Sequence, residues 1–293
     1  MSESDEPARD LRQQSDTQLP SEAGARDHYV MQPLPWLAGG SDKGLRHETN
    51  QDALSIAGRD TADGQVAVLV VSDGVSTSLG AEQAALAATR AASARLVEAL
   101  AGEPGDDALT VALTSAFELA NEAALQAPSP GPEPGSCTLI AAVWNHSKVI
   151  VGNVGDCRAY WFGSDGANLR LTTDDSMAQV AVELGMSRED AEKGIHSHAI
   201  TRWLGPGAND IAPRQETFQP TSSGWLLVCS DGLWNYASEP DDLATVLHAN
   251  LTAEPVGTVE NLLAWANHQG GRDNIAVALA RVDVLSPAQE SRA

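Results

Sequence analysis

Apolar and β-branched residues fall in short runs bounded by Gly, Asn or Asp, as where Asn145-His146-Ser147 separates two of them. Such runs predict strands over 53–57, 65–72, 137–144, 148–153, 158–162, 168–172, 224–229 and 274–282. Stretches dominated by Ala, Leu and Glu predict helices over 81–101, 107–125, 174–184, 240–247 and 256–268. A shorter helix is predicted over 188–193, with Ser187 as its N-cap. The strands come in consecutive groups separated by paired helices, and do not alternate strictly with them. That order points to an α+β layered domain with antiparallel sheets.

The first forty or so residues read differently: they are polar, carry Pro20, Pro33 and Pro35, and show no apolar periodicity before Val30. Residues 1–33 are therefore expected to form a disordered extension, 34–284 one catalytic domain and 285–293 a short tail. With 293 residues and 42% hydrophobic content, the chain can bury a sizeable core. Its net charge of -22 argues against nucleic acid or an anionic membrane as a partner, since both are polyanions. The start has no signal-peptide pattern and no run of eighteen apolar residues occurs, so a soluble cytoplasmic protein is expected. Cys137, Cys157 and Cys229 lie in apolar runs without zinc-site spacing, which predicts buried, inert thiols.

Chemistry is concentrated in four aspartate-bearing segments: Asn50-Gln51-Asp52-Ala53, Ser72-Asp73-Gly74, Ser230-Asp231-Gly232 and Gly271-Arg272-Asp273-Asn274. Each borders a predicted strand. A single Asp-Gly pair is a common turn sequence. Here, however, an apolar strand followed by Ser-Asp-Gly occurs twice, at Val66–Ser72 and at Trp225–Ser230. Carboxylates at strand ends are costly beside a core unless a cation compensates them, which suggests hard metal ions held by oxygen ligands.

Over roughly residues 41 to 280 the chain resembles the metal-dependent (PPM, type 2C) serine/threonine protein phosphatases of bacterial type. The resemblance rests on the four aspartate segments together with Gly135-Ser136-Cys137-Thr138-Leu139, Gly152–Arg158, Leu171–Ser176 and Ile200-Thr201-Arg202-Trp203-Leu204-Gly205, in the family's order. It implies a four-layer αββα sandwich, two central β-sheets flanked by helix pairs. It also implies that Asp73 bridges two Mg²⁺ or Mn²⁺ ions, with Asp52 and the Gly74 carbonyl on one and Asp231 and Asp273 on the other. A hydroxide held between such ions would attack phosphorus directly, and phosphorylated proteins would be the partners. Gly74, with no Cβ, would let its backbone approach an ion. Asn274 reads either as ordering the strand end beside Asp273 or as a plain turn residue.

The chain departs from the family pattern at three places. His47, with Arg46 adjacent, stands where many relatives carry a phosphate-gripping Arg; an imidazolium attracts phosphate without the bidentate guanidinium fork. Val75-Ser76 follows Asp73-Gly74 where Met-Gly is common. Asn235 stands where an acidic ligand for a weak third ion is found in several relatives, and Asp156 would be that ion's other distinctive ligand. The segment 174–200 corresponds to the family's variable flap, whose His196 and His198 are expected at the surface. Two other readings stay open: a phosphatase-fold binding or sensory module with little catalysis, and a hydrolase of small phosphoesters.

Overall fold

The computed structural model describes residues 26–102, 104–194 and 196–284. Two antiparallel sheets stack face to face. The larger holds β1 (His28–Leu34), β2 (Leu37–Asp42), β7 (Arg158–Gly163), β8 (Asn168–Arg170), β10 (Gly224–Cys229) and β11 (Ile275–Val282), in the order β1-β2-β11-β10-β7-β8. The smaller holds β3 (Ala53–Thr61), β4 (Gly64–Ser72), β5 (Leu139–Asn145), β6 (Lys148–Val154) and β9 (Arg214–Phe218), in the order β3-β4-β5-β6-β9. Helices α1 (Ala81–Leu100) and α2 (Asp106–Leu125) cover the outer face of the smaller sheet. Between the strands lie α3 (Met177–Glu183), α4 (Arg188–Glu192) and the single turn α5 (Asp231–Trp234). Helices α6 (Pro240–Asn250) and α7 (Pro255–Gln269) cover the outer face of the larger sheet.

The near-continuous apolar character of β4 and β10 follows from burial on both faces. Along β4, Ala67, Leu69 and Val71 pack between the sheets, whereas Val68 and Val70 pack under α1 and α2. Along β10, Leu226 and Val228 point to the other sheet while Leu227 and Cys229 point to α6 and α7. The period of two thus divides one strand between two cores. The inter-sheet core is centred on Trp144 and Trp161, whose rings stack at 6.4 Å between centroids. Two sheets, two helix layers and three cores between them make the expected αββα sandwich.

The structure moves several predicted boundaries. Strand β1 takes residues 28–34, and Arg26 is buried, so residues 26–33 of the segment assigned to the extension belong to the folded domain. The remainder of that segment and the 285–293 tail lie outside the described residues. Strands β1, β2 and β9 were not predicted. Proline in β1, paired glycines in β2 and the polar sequence Arg-Gln-Glu-Thr-Phe in β9 hide them from a hydrophobic pattern. Cys137 makes isolated bridges to Gly74 and Leu204 and does not begin β5. The helix predicted from residue 174 begins at Met177, because the Ser176 side chain accepts the Gln179 amide and caps it. Ser187 caps α4 in the same manner, as predicted. Among the described residues no helix is long and apolar enough to cross a membrane.

Candidate active site

Antiparallel pairing brings the four aspartate segments to one end of both sheets. Ala53, which opens β3, pairs with Ser72, which closes β4, so Asp52 and Asp73 leave the same edge. Cys229 at the end of β10 pairs with Val277 near the start of β11, which sets Asp231 and Asp273 at the matching edge of the other sheet. Between them opens a cleft of about 130 Å³ lined by Asp73, Gly74, Asp156, Asp231 and Asp273, with Thr138, His198 and Ile200. Asp52 is buried behind this lining.

The cleft is electrostatically unsatisfied. Burial pushes Asp52 up to about 8, helped by the charges of Asp273 and Asp231 and opposed by a hydrogen bond from Ser230. Asp231 is pushed up to about 7 by burial and by Asp273, against the amide of Asn235. Asp73 and Asp156 are held well above the usual carboxylate range, chiefly by burial and then by neighbouring carboxylates. Asp52 Oδ1 and Asp231 Oδ1 are buried and accept no hydrogen bond. Buried carboxylates arranged in this way favour a compensating cation. An all-oxygen donor set suits Mg²⁺ or Mn²⁺, which retain waters as ligands. Among the described residues, no three acidic, imidazole or thiol side chains are already gathered around one point.

Several of the aspartate segments are held by groups from distant parts of the chain. Thr138 Oγ1 accepts the Asp73 amide at 3.0 Å, and the Ser72 hydroxyl donates to the Thr138 carbonyl at 2.6 Å. The Asn274 side chain accepts the Gln51 amide at 2.8 Å and donates to the carbonyls of Lys43 and Thr49, binding the Asp52 loop to the Asp273 strand. Asn274 is thus an organiser of the site and not a plain turn residue. The buried guanidinium of Arg26 donates to the Asp52 carbonyl at 2.6 Å and pairs with Glu82 at 2.9 Å. Nothing in the sequence around Arg26 signals this role. Gly232 is required by packing: a Cβ there would lie 1.9 Å from the Asn274 carbonyl oxygen. Gly74 has a related constraint, since its Cβ would stand 2.8 Å from the Gln51 carbonyl and 2.9 Å from that of Ala81.

The departures from the family pattern resolve into contacts. His47 Nε2 lies 3.1 Å from Asp273 Oδ1, and the neighbouring Arg46 is exposed; neither lines the cleft. The Asn235 amide donates to Asp231 Oδ2 at 2.9 Å, so it holds a carboxylate in place. Asp156 does line the cleft, while its carbonyl accepts the indole N–H of Trp234 at 3.0 Å. His196 is exposed as expected. His198 is exposed too, yet it lines the cleft mouth, 6.4 Å from the Trp234 ring between centroids.

The flap is anchored by two buried carboxylates at its base. Asp174 receives the fork of Arg158, with Nη2 at 2.6 Å and Nε at 3.0 Å, and that guanidinium lies 3.4 Å over the Trp234 ring. Asp175 pairs with Arg202 at 3.1 Å and with Arg214 at 2.7 Å. A bridge between Ser176 and Ile200 closes the segment.

A family model described as protein phosphatase 2C matches residues 41–265, and the chain belongs to that family. A relative from Listeria innocua, the serine/threonine phosphatase stp, is 32% identical over 156 residues, which cover 53% of this chain and 60% of the relative. The chain thus spans about three fifths of the length of the curated relatives it first matches. Among solved structures, the serine/threonine phosphatase of S. agalactiae is 26% identical with a TM-score of 0.68, covering 87% of this chain and 100% of that one. The catalytic domain of the phosphatase PstP in complex with two manganese ions is 25% identical with a TM-score of 0.61, covering 87% and 98%.

Proposed function

We propose that the chain is a metal-dependent phosphatase that hydrolyses phosphoserine and phosphothreonine in proteins. The observation that carries this reading is the pair of buried, unpartnered oxygens, Asp52 Oδ1 and Asp231 Oδ1, beside a cleft lined by Asp73, Asp156 and Asp273. Asp52, Asp73 and the Gly74 carbonyl would hold one Mg²⁺ or Mn²⁺, and Asp73, Asp231 and Asp273 a second; Asp156 is the candidate for a weaker third. Two bound ions supply neutralisation of phosphoryl charge and a water acidified enough to attack phosphorus in line.

The residues of the chain fix the geometry. Ser230, Thr138 and Asn274 hold the carboxylates or their strand ends at defined angles. His47 stands beside Asp273 and the exposed Arg46 precedes it in the chain, so a cationic side chain on this loop would attract an incoming phosphate as a point charge. The buried thiols Cys137, Cys157 and Cys229 take no part, which fits attack by water instead of a covalent enzyme intermediate.

The test is hydrolysis of a phosphothreonine peptide with Mn²⁺, with and without EDTA, for wild type and Asp231→Asn. Metal-dependent turnover lost in the variant supports the reading. A folded wild type that turns over neither peptide nor p-nitrophenyl phosphate under any divalent ion would move the weight to a binding module.

A further inference from the structure

A second concavity opens against the metal cleft and is four times as large. It measures about 520 Å³, against about 130 Å³ for the cleft. The two share Val75, His198 and Ile200. The groove continues over Ala199, Trp203 and Pro206, and His198 is the one titratable side chain that lines it among the described residues. On a molecule with a net charge of -22, this groove carries no carboxylate although it adjoins a cleft lined by four.

The groove is preformed. The Trp203 indole N–H donates to the Pro206 carbonyl at 3.0 Å, which fixes the half-buried ring in the groove wall. The opposite wall is stitched by the Val75 amide to the Ser136 carbonyl at 2.9 Å and by the Ser136 amide to the Ser78 hydroxyl at 2.9 Å. Behind Trp203, Leu204 and Cys137 exchange backbone hydrogen bonds at 2.8 and 3.0 Å.

We infer that this groove receives an apolar side chain of the phosphoprotein substrate, one or two residues from the phosphorylated position. The inference rests on the phosphatase reading above, because it takes the phosphate to sit in the cleft. A phosphoresidue anchored there must lay its chain neighbours across the shared edge at Val75, His198 and Ile200. In an extended peptide, residues two apart project to the same side at a spacing of about 6.6 Å, which suits a side chain entering the adjoining groove. An acidic neighbour would find no Lys or Arg in the groove and would stand near the cleft carboxylates. Substrates with Leu, Met or Phe beside the phosphoresidue are therefore selected over those with Glu or Asp.

The experiment has two readouts on the full chain with Mn²⁺. In the first, kcat/KM is measured for phosphothreonine peptides carrying Leu, Ala or Glu at each position from two before to two after the phosphoresidue. Leu is expected to exceed Ala by about tenfold at one position, the scale of filling an apolar pocket. Trp203→Ala, or Ile200→Ser if the first variant does not fold, should reduce that ratio to near unity. In the second, a phosphopeptide carrying a photoreactive diazirine leucine at that position is irradiated and the labelled residues are mapped. Labelling of Ala199, Trp203 or Pro206, which line the groove and not the cleft, supports the groove whether or not the peptide is hydrolysed. Labelling elsewhere, or equal kcat/KM for Leu, Ala and Glu while p-nitrophenyl phosphate is turned over, overturns the groove and leaves the phosphatase reading standing. Groove labelling without turnover of any phosphoester would instead retain the docking surface and remove the phosphatase reading.

Discussion

Ser230 donates its hydroxyl to Asp52 Oδ2 at 2.6 Å, and Ser230 Oγ in turn accepts the Ala276 amide at 2.9 Å. One hydroxyl therefore links a carboxylate from the smaller sheet to two adjacent strands of the larger one. The contact favours the charged form of Asp52 and opposes the effect of its burial. Ser230→Ala should cost about 1–3 kcal/mol of stability, the usual penalty for a buried group losing its partner. It should also weaken Mn²⁺ binding, as measured by calorimetric titration. Unchanged metal affinity would show that Asp52 is positioned without Ser230.

The raised carboxylates give the metal-free protein a particular response to pH. Asp52 and Asp231 hold their protons up to about 8 and about 7 when folded, against an unfolded value of about 3.9. Between those limits the folded chain binds more protons than the unfolded one, so stability falls as pH rises through the window. Mn²⁺ held by the deprotonated carboxylates, as proposed, would displace protons and offset this loss. Thermal melts in EDTA should therefore give a lower midpoint at about pH 8 than at about pH 5, with the largest rise on adding Mn²⁺ at the higher pH. Equal midpoints in EDTA at both values would contradict the raised carboxylates.

Asn274→Ala removes a side chain that makes three hydrogen bonds to the backbone of the 43–51 loop. A loss of about 2–3 kcal/mol is expected, with hydrogen exchange accelerating in that loop before the rest of β11. Uniform acceleration across the sheet would indicate a global effect instead.

Arg158→Met should be among the most damaging single changes outside the cleft. It leaves Asp174 buried with only the more distant Arg170, at 3.7 Å, for a partner, and it removes the cation over Trp234. Breaking a buried pair from one side costs about 3–5 kcal/mol. Arg158→Lys should recover only part of that, since an ammonium cannot reproduce the fork. Denaturant midpoints for the two variants, with and without Asp174→Asn, separate the pair from the ring contact.

Gly232→Ala tests the crossing of α5 and β11. The new Cβ would need the Asn274 carbonyl to retreat from 1.9 Å, which displaces Asp231 and Asp273 together. Loss of metal binding with near-native circular dichroism is the expected outcome. Wild-type metal affinity would show that the two strand ends can part without consequence.

What the sequence discloses follows from how local each signal is. Asp73 and Asp231 are legible because each ends an apolar strand buried on both faces, and the pattern survives in eight or nine adjacent letters. The antiparallel α+β layering is likewise carried by consecutive strand groups separated by paired helices, whereas the αββα arrangement was implied by the family resemblance. Ser230, Asn274 and Arg26 are another matter. Their partners lie 178, 223 and 26 positions away, so their work exists only after the sheets have stacked. His198 was hidden for a similar reason: an exposed flap histidine looks like surface until its loop folds back over the cleft. Strand β9 was hidden by its polar composition, since an edge strand with one open side needs no hydrophobic run.

The three cysteines acquire a meaning from the chemistry around them. Cys137, Cys157 and Cys229 are all fully buried, and burial pushes every thiol above its ordinary value, Cys137 to about 12. Peroxide and disulfide reagents attack thiolates, and these side chains present none. The proposed centre recruits no thiol, so activity of the kind proposed should survive peroxide concentrations that inactivate phosphatases dependent on a reactive cysteine.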